Sequence, residues 1–198
     1  MTEQLTTWTV LDEAHAALRV AVGGMADDGW ALPTPCDAWT ATQVLQHAAG
    51  DQQAYAAVLT GGAFPAEDPF APCGRLGRAP GELLEPALAL ALAAFDAVRP
   101  GETAVAVPLP GGPFPADIAV GACALDAAVH AWDIAVASGQ PSPMGDELAA
   151  ELLAVARAIV EPLRGFAYAP ALASVDGERP LAALLRYLGR DPRWAPAG

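Results

Sequence analysis

Asp126 and His130 stand four residues apart in the segment GACALDAAVHAWDIAVASG, and at about 100° per helical residue they share one face with Cys123 and Asp133. A carboxylate and an imidazole at that spacing reach toward the same point, so the pair is a two-point scaffold for a divalent metal ion. A second segment, TQVLQHAAGDQQAYAAV, places His47 and Asp51 on the arc of Val44, Tyr55 and Val58, with Gln46 and Gln53 turned away. His15 occupies a position in WTVLDEAHAALRVAVGGM where an apolar stripe asks for Leu.

The chain has three histidines, and all of them map to inward helix faces beside carboxylates. If Leu125, Val129 and Trp132 point to the core, Asp126, His130 and Asp133 must point there too, and a buried charge without a partner is costly. A divalent metal ion held among these side chains would relieve that cost. Ordinary core contacts would also relieve it, with Asp126 paired to an arginine or capping a neighbouring helix and each histidine hydrogen-bonded. Asp133 can either replace Asp126 as the acidic ligand or orient His130 from behind. His15 has two readings as well: a general base near the metal, or a buried, hydrogen-bonded histidine.

These residues need helices to position them, and helical periodicity broken by Pro and Gly runs along most of the chain, which predicts an all-α bundle. The first helix carries the stripe Trp8, Leu11, His15, Leu18, Val22 and Met25 and ends near Gly29. After the connector ALPTPCDAWT, Thr40 and Gln43 have capping-box spacing, with Trp39 and Val44 as the staple. That second helix runs to about Thr60, where Gly61 and Gly62 stop it. Residues 63–79 read as a Pro-rich loop and 80–98 as a third helix, in which Pro86 marks either a kink or a later start. A loop over 100–114, with a short extended piece at Ala104 to Val107, leads to a fourth helix over 115–138 that Gly139 ends. A fifth spans Gly145 to Val160, and a short last one, PLAALLRYLGR, ends at Gly189. The fourth helix has a back of Ala124, Ala127, Ala128, Ala131 and Ala135, which must pack on another helix, the fifth being the simpler cover, or on a second subunit, so the chain is a monomer or a homodimer.

At 198 residues one domain over 1–198 is expected, large enough for a core without staples. The formal charge is −13, and all ten basic residues are Arg. That balance argues against nucleic acid and anionic membranes as partners. The Ala-rich stretches are broken too soon to span a bilayer, and MTEQLTTWTVLDEAH lacks the basic and apolar regions of a signal peptide, so a cytoplasmic protein is expected. Cys36, Cys73 and Cys123 have no CxxC spacing, fit a reducing compartment, and read as small buried hydrophobes.

Three phrases resemble a known family. TPCDAWTATQVLQH (34–47), DAAVHAWDIAVASGQ (126–140) and LGRDPRW (188–194) are similar, in order, to the phrases of actinobacterial metal-binding proteins of the DinB-like superfamily, close to mycothiol-dependent maleylpyruvate isomerase. The resemblance implies a DinB-like four-helix bundle with additional C-terminal helices. It also implies a core metal, usually zinc, held by a His on the second helix and by an acid and a His on the fourth. Residue by residue these are His47, Asp126 and His130. The isomerase has Glu where this chain has Asp126, and related DinB-like proteins have a third His there.

Three protein ligands leave a zinc ion one or more open positions, the arrangement of a catalytic site. Such a site can activate a thiol or water, or polarise a carbonyl. The expected function is therefore that of a divalent-metal enzyme, with Zn2+ or Ni2+, acting on a small molecule as a mycothiol-type transferase or isomerase, with His15 as its catalytic residue. Arg75 and Arg78 are candidates for contacts to a cofactor thiol, or simply solvated charges. The competing classes are a non-catalytic metal- or ligand-binding bundle and a metal-free biosynthetic enzyme that uses the bundle cavity.

Overall fold

A computed structural model describes residues 8–36 and 38–196. Residues 1–7, which open the stretch expected not to be a signal peptide, and Asp37 of the TPCDAW phrase lie outside the described residues. The helices are α1 (Thr9–Gly23), α2 (Ala41–Thr60), α3 (Pro80–Phe95), α4 (Ala116–Ala137), α5 (Asp146–Ile159) and α6 (Pro180–Tyr187), with no strand among the described residues. The extended piece at Ala104 to Val107 amounts to one antiparallel bridge, Val105 to Phe114.

α4 is the axis of the molecule: α1, α2 and α5 all pack on it, while α3 covers α2 and α6 covers α5. Ala124, Ala127, Ala128, Ala131 and Ala135 are each 0% exposed, so the back that lacked a charged face is buried within this chain. Gly121 shows why α5 can come so close, since a Cβ there would lie 2.5 Å from Val155 Cγ2. Among the described residues α4 alone is long and apolar enough to cross a membrane, but 89% of that stretch is buried in the bundle. Its apolar character is thus that of a core helix. Leu11, Leu18, Val44, Leu45, Leu88, Phe95, Leu125 and Ile134, from α1 to α4, are all fully buried in one apolar cluster.

Local chemistry sets the helix ends. The capping box forms as the spacing predicts, with Thr40 N–H donating to Gln43 Oε1 at 3.0 Å and Gln43 N–H donating to Thr40 Oγ1 at 3.5 Å. Gly61 closes α2 in the left-handed region, at φ 69°. α1 is shorter than its apolar stripe: it stops at Gly23, and Met25 is buried from the turn that follows. Gln140 accounts for that stop. Its amide donates to Ala21 O at 3.1 Å and fills the space where a Cβ of Gly24 would be, so the GQ phrase closes α1 from across the bundle. α3 begins at Pro80 and keeps Pro86 inside it.

Candidate metal centre

α2 and α4 pack face to face, and the phase set by the Thr40 cap turns His47 toward the strip of α4 that carries Asp126 and His130. Asp126 Oδ1 lies 3.3 Å from His47 Nε2 and 3.3 Å from His130 Nε2. One donor atom from each of the three residues falls within 4.8 Å of the others. Both histidines are 6% exposed, so the cluster sits just beneath the surface.

Each imidazole is held from behind. His47 Nδ1–H donates to the Pro69 carbonyl at 2.9 Å, and His130 Nδ1–H donates to Asp133 Oδ2 at 2.9 Å. An acceptor at Nδ1 aims Nε2 at the cluster, where it could ligate an ion once its own proton is lost, as in metal sites whose histidines are oriented by a carboxylate or a carbonyl. Asp133 is itself gripped by Arg190, whose Nε and Nη2 donate to its two oxygens at 2.9 and 2.8 Å. Fully buried and engaged with Arg190 and His130, Asp133 stands behind His130, while Asp126 faces the two Nε2 atoms. Burial works against the charge on His130, yet Asp126 and Asp133 outweigh it and raise its pKa to about 9. Burial likewise opposes the charge on Asp126, and the two histidines overcome it and hold the carboxyl well below its usual range.

Asp51 lies one turn beyond His47. Burial and the neighbouring Asp126 carboxylate push its pKa up to about 7. Tyr168, from the loop before α6, shares the same electrostatic neighbourhood: burial and Asp126 push its hydroxyl well above the ordinary tyrosine value, against the pull of Arg190. Nothing in the periodicity of α2 and α4 pointed to Tyr168 or Arg190. Arg190 does belong to the LGRDPRW phrase, whose role in the site could not be read without knowing where the tail lies.

His15 is 0% exposed and is not one of the three residues whose donor atoms converge. Its Nε2–H donates to Gln52 Oε1 at 2.7 Å, and Gln52 in turn donates to Cys123 O at 3.1 Å, so it joins α1 to α2 and α4. Burial lowers its pKa to about 4 and keeps it neutral. Cys123 is buried as expected and Cys36 half-buried. Cys73 is exposed, correcting the reading of all three as core hydrophobes: its Sγ accepts from Gln46 Nε2 at 3.3 Å in the loop that crosses α2. Arg75 and Arg78, on that loop, line a cavity of about 390 Å3 between α2 and α3, on a different face of α2 from His47.

The donor set fits a metal ion. Ligands about 2.0–2.1 Å from a tetrahedral centre are about 3.3–3.4 Å apart, which matches the two Nε2–Oδ1 spacings, while the three donor atoms together span up to 4.8 Å, so the two imidazoles would draw together on an ion. Asp126 Oδ2 is buried with no hydrogen-bond partner among the described residues, an acceptor that a bound cation would satisfy.

The model of the mycothiol maleylpyruvate isomerase N-terminal domain matches residues 11–135. The chain belongs to this family. The uncharacterized proteins Rv0738 and MT0763 of Mycobacterium tuberculosis (strains H37Rv and CDC 1551) are each 34% identical to it over 149 residues, 75% of this chain and 76% of theirs. No solved structure matches it. As a member of the mycothiol maleylpyruvate isomerase N-terminal domain family, the chain is an all-α DinB-like bundle. The family match takes in His15, His47, Asp126, His130 and Asp133 and ends before Phe166, Tyr168 and Arg190.

Proposed function

We propose that the chain holds one divalent metal ion, zinc by its N/O ligand chemistry with nickel as the alternative, between His47, Asp126 and His130. On it the protein acts on a small molecule as a thiol-dependent transferase or isomerase of the mycothiol type. The carrying observation is the pair of Nε2 atoms at 3.3 Å from one carboxylate oxygen, each imidazole fixed at Nδ1. Membership of the family supplies the thiol. Cys73 and Cys123, both outside any disulfide, agree with work in a reducing, cytoplasmic setting.

A bound divalent ion supplies positive charge that makes a thiol or water more acidic, or polarises a carbonyl. The protein's own groups handle the proton and the geometry. Asp51, one turn beyond His47 and in the field of Asp126, His47 and His130, is the remaining carboxylate that would take the S–H proton and leave a thiolate. Tyr168 stays protonated, a hydroxyl donor in the electrostatic neighbourhood of Asp126 and Asp51. His47 and His130 stay in register because Pro69 and Asp133 hold their far sides. His15, neutral and sealed in the core, ties α1 to the two ligand-bearing helices.

The test is elemental analysis of protein purified without added metal, beside His47→Ala and Asp126→Ala. About one ion per chain in the wild type, with much less in both variants, supports the reading. If no metal co-purifies and neither zinc nor nickel raises the melting temperature, the metal reading fails. If metal binds while mycothiol and simple thiols do not, the chain is a metal-binding bundle without thiol chemistry.

A further inference from the structure

A series of rings leads from the ligand cluster to the surface. The His47 imidazole lies 4.7 Å from Trp39 and 5.4 Å from Phe70, and Phe70 lies 5.2 Å from Phe166, centroid to centroid. Exposure rises along it, from 6% at His47 to 47% at Phe70 and 72% at Phe166. The two phenylalanines come from separate loops, 63–79 and 164–179, and meet in front of a candidate ligand. Large apolar side chains left this open, and next to a site, mark a place where something apolar binds.

Charge narrows the class. Arg190, the guanidinium behind the cluster, is consumed by Asp133, while Arg75 and Arg78 line the cavity on another face of α2. None of these three guanidinium groups is placed to meet an anionic body at Phe70 and Phe166, which leaves recognition there to apolar contact. Flat rings recognise other flat or unsaturated groups by offset or edge-on packing, worth about 0.5–1.5 kcal/mol beyond area burial.

We propose that the packed pair of Phe70 and Phe166 acts as an aromatic clamp at the mouth of the site, laying its open outer face on the aryl or otherwise planar apolar body of the substrate whose donor atom reaches His47, Asp126 and His130. The inference rests on the metal reading of that cluster and assigns its substrate class. Phe166 lies beyond the stretch matched to the family, so this half of the clamp is a specificity element of the C-terminal segment.

The experiment is calorimetric titration of zinc-loaded protein with benzyl mercaptan and with ethanethiol, in the wild type and in Phe70→Ala, Phe166→Ala and Phe166→Tyr. The wild type should bind the aryl thiol at least about tenfold more tightly, a difference of about 1.4 kcal/mol. Both Ala variants should cut that ratio to about threefold or less with zinc content unchanged, and the Tyr variant should keep it. A wild-type ratio near one, or a ratio unchanged in both Ala variants, overturns the clamp. Should the protein load no zinc, the metal reading falls by itself. The clamp is then read on metal-free protein by saturation-transfer NMR with benzyl alcohol: transfer that disappears in Phe166→Ala sustains it, and no transfer to the wild type removes it.

Discussion

Arg190 grips both oxygens of Asp133, at 2.9 and 2.8 Å, and Asp133 passes that constraint to His130 Nδ1 at 2.9 Å. Bidentate guanidinium–carboxylate contacts fix orientation as well as charge, so the far end of the chain sets the angle of a candidate ligand.

Removing that support should weaken metal binding without touching a ligand. Asp133→Asn, which keeps the shape of the side chain, is expected to lower zinc affinity by about 10–100-fold. A competition titration against a chromophoric chelator measures it. Arg190→Met should cost about 3 kcal/mol in denaturant unfolding, because it leaves the buried Asp133 charge with His130 as its remaining partner. Unchanged affinity in Asp133→Asn would show that His130 needs no orienting group.

His15 should give the metal-free protein an acid-sensitive stability. Its folded pKa, about 4, lies below the ordinary 6.5, so between those values the unfolded chain binds a proton that the folded one refuses. Stability from this group is intact above pH 6.5, falls as pH drops, and bottoms out near pH 4, a loss of about 3 kcal/mol. His15→Leu should flatten this limb of a plot of unfolding free energy against pH. A limb of equal slope in the variant would mean that other groups produce it.

Asp51 carries the opposite sign. Its folded pKa of about 7 is above the ordinary 3.8, so the folded metal-free chain holds the extra proton and loses stability as pH rises from 3.8 through 7. Asp51→Asn should therefore stabilise metal-free protein at pH 8, by on the order of 2 kcal/mol once solvent screening is allowed for, and do little at pH 4. Thermal melts at the two pH values decide it. If Asp51 also takes the thiol proton, the same variant should lower kcat with metal content preserved.

Gly121 should resist enlargement. Alanine ordinarily favours a helix interior by about 1 kcal/mol over glycine, yet Gly121→Ala drives a methyl onto Val155 and should lower stability by about 1–3 kcal/mol. Val155→Ala in the same chain should recover part of the loss. A more stable single variant would mean that α5 shifts freely against α4.

The helices and the three-residue cluster were legible because both depend on local rules. Thr40 and Gln43 announce a helix start within four residues, and a 3.6-residue repeat determines which side His47, Asp126 and His130 take. What stayed hidden depends on contacts between distant segments. Asp133 could not be separated from Asp126 by helix phase, since both fall on one strip; the separation comes from Arg190, 57 residues later. His15 matched a core stripe, but its partner Gln52 lies on α2, and no periodicity pairs the two. Phe70 and Phe166 sit in irregular loops, where the chain has no repeat to read.

The reach from Asp133 to Arg190 has a consequence for the order of assembly. Until the segment after α6 docks, α1 to α4 can associate, yet the carboxylate that orients His130 lacks its guanidinium. A chain arrested or clipped between α5 and α6 would keep the bundle and all three donors but present them loosely. Ordering of the centre therefore waits on the docking of the segment that carries Arg190, 57 residues after Asp133.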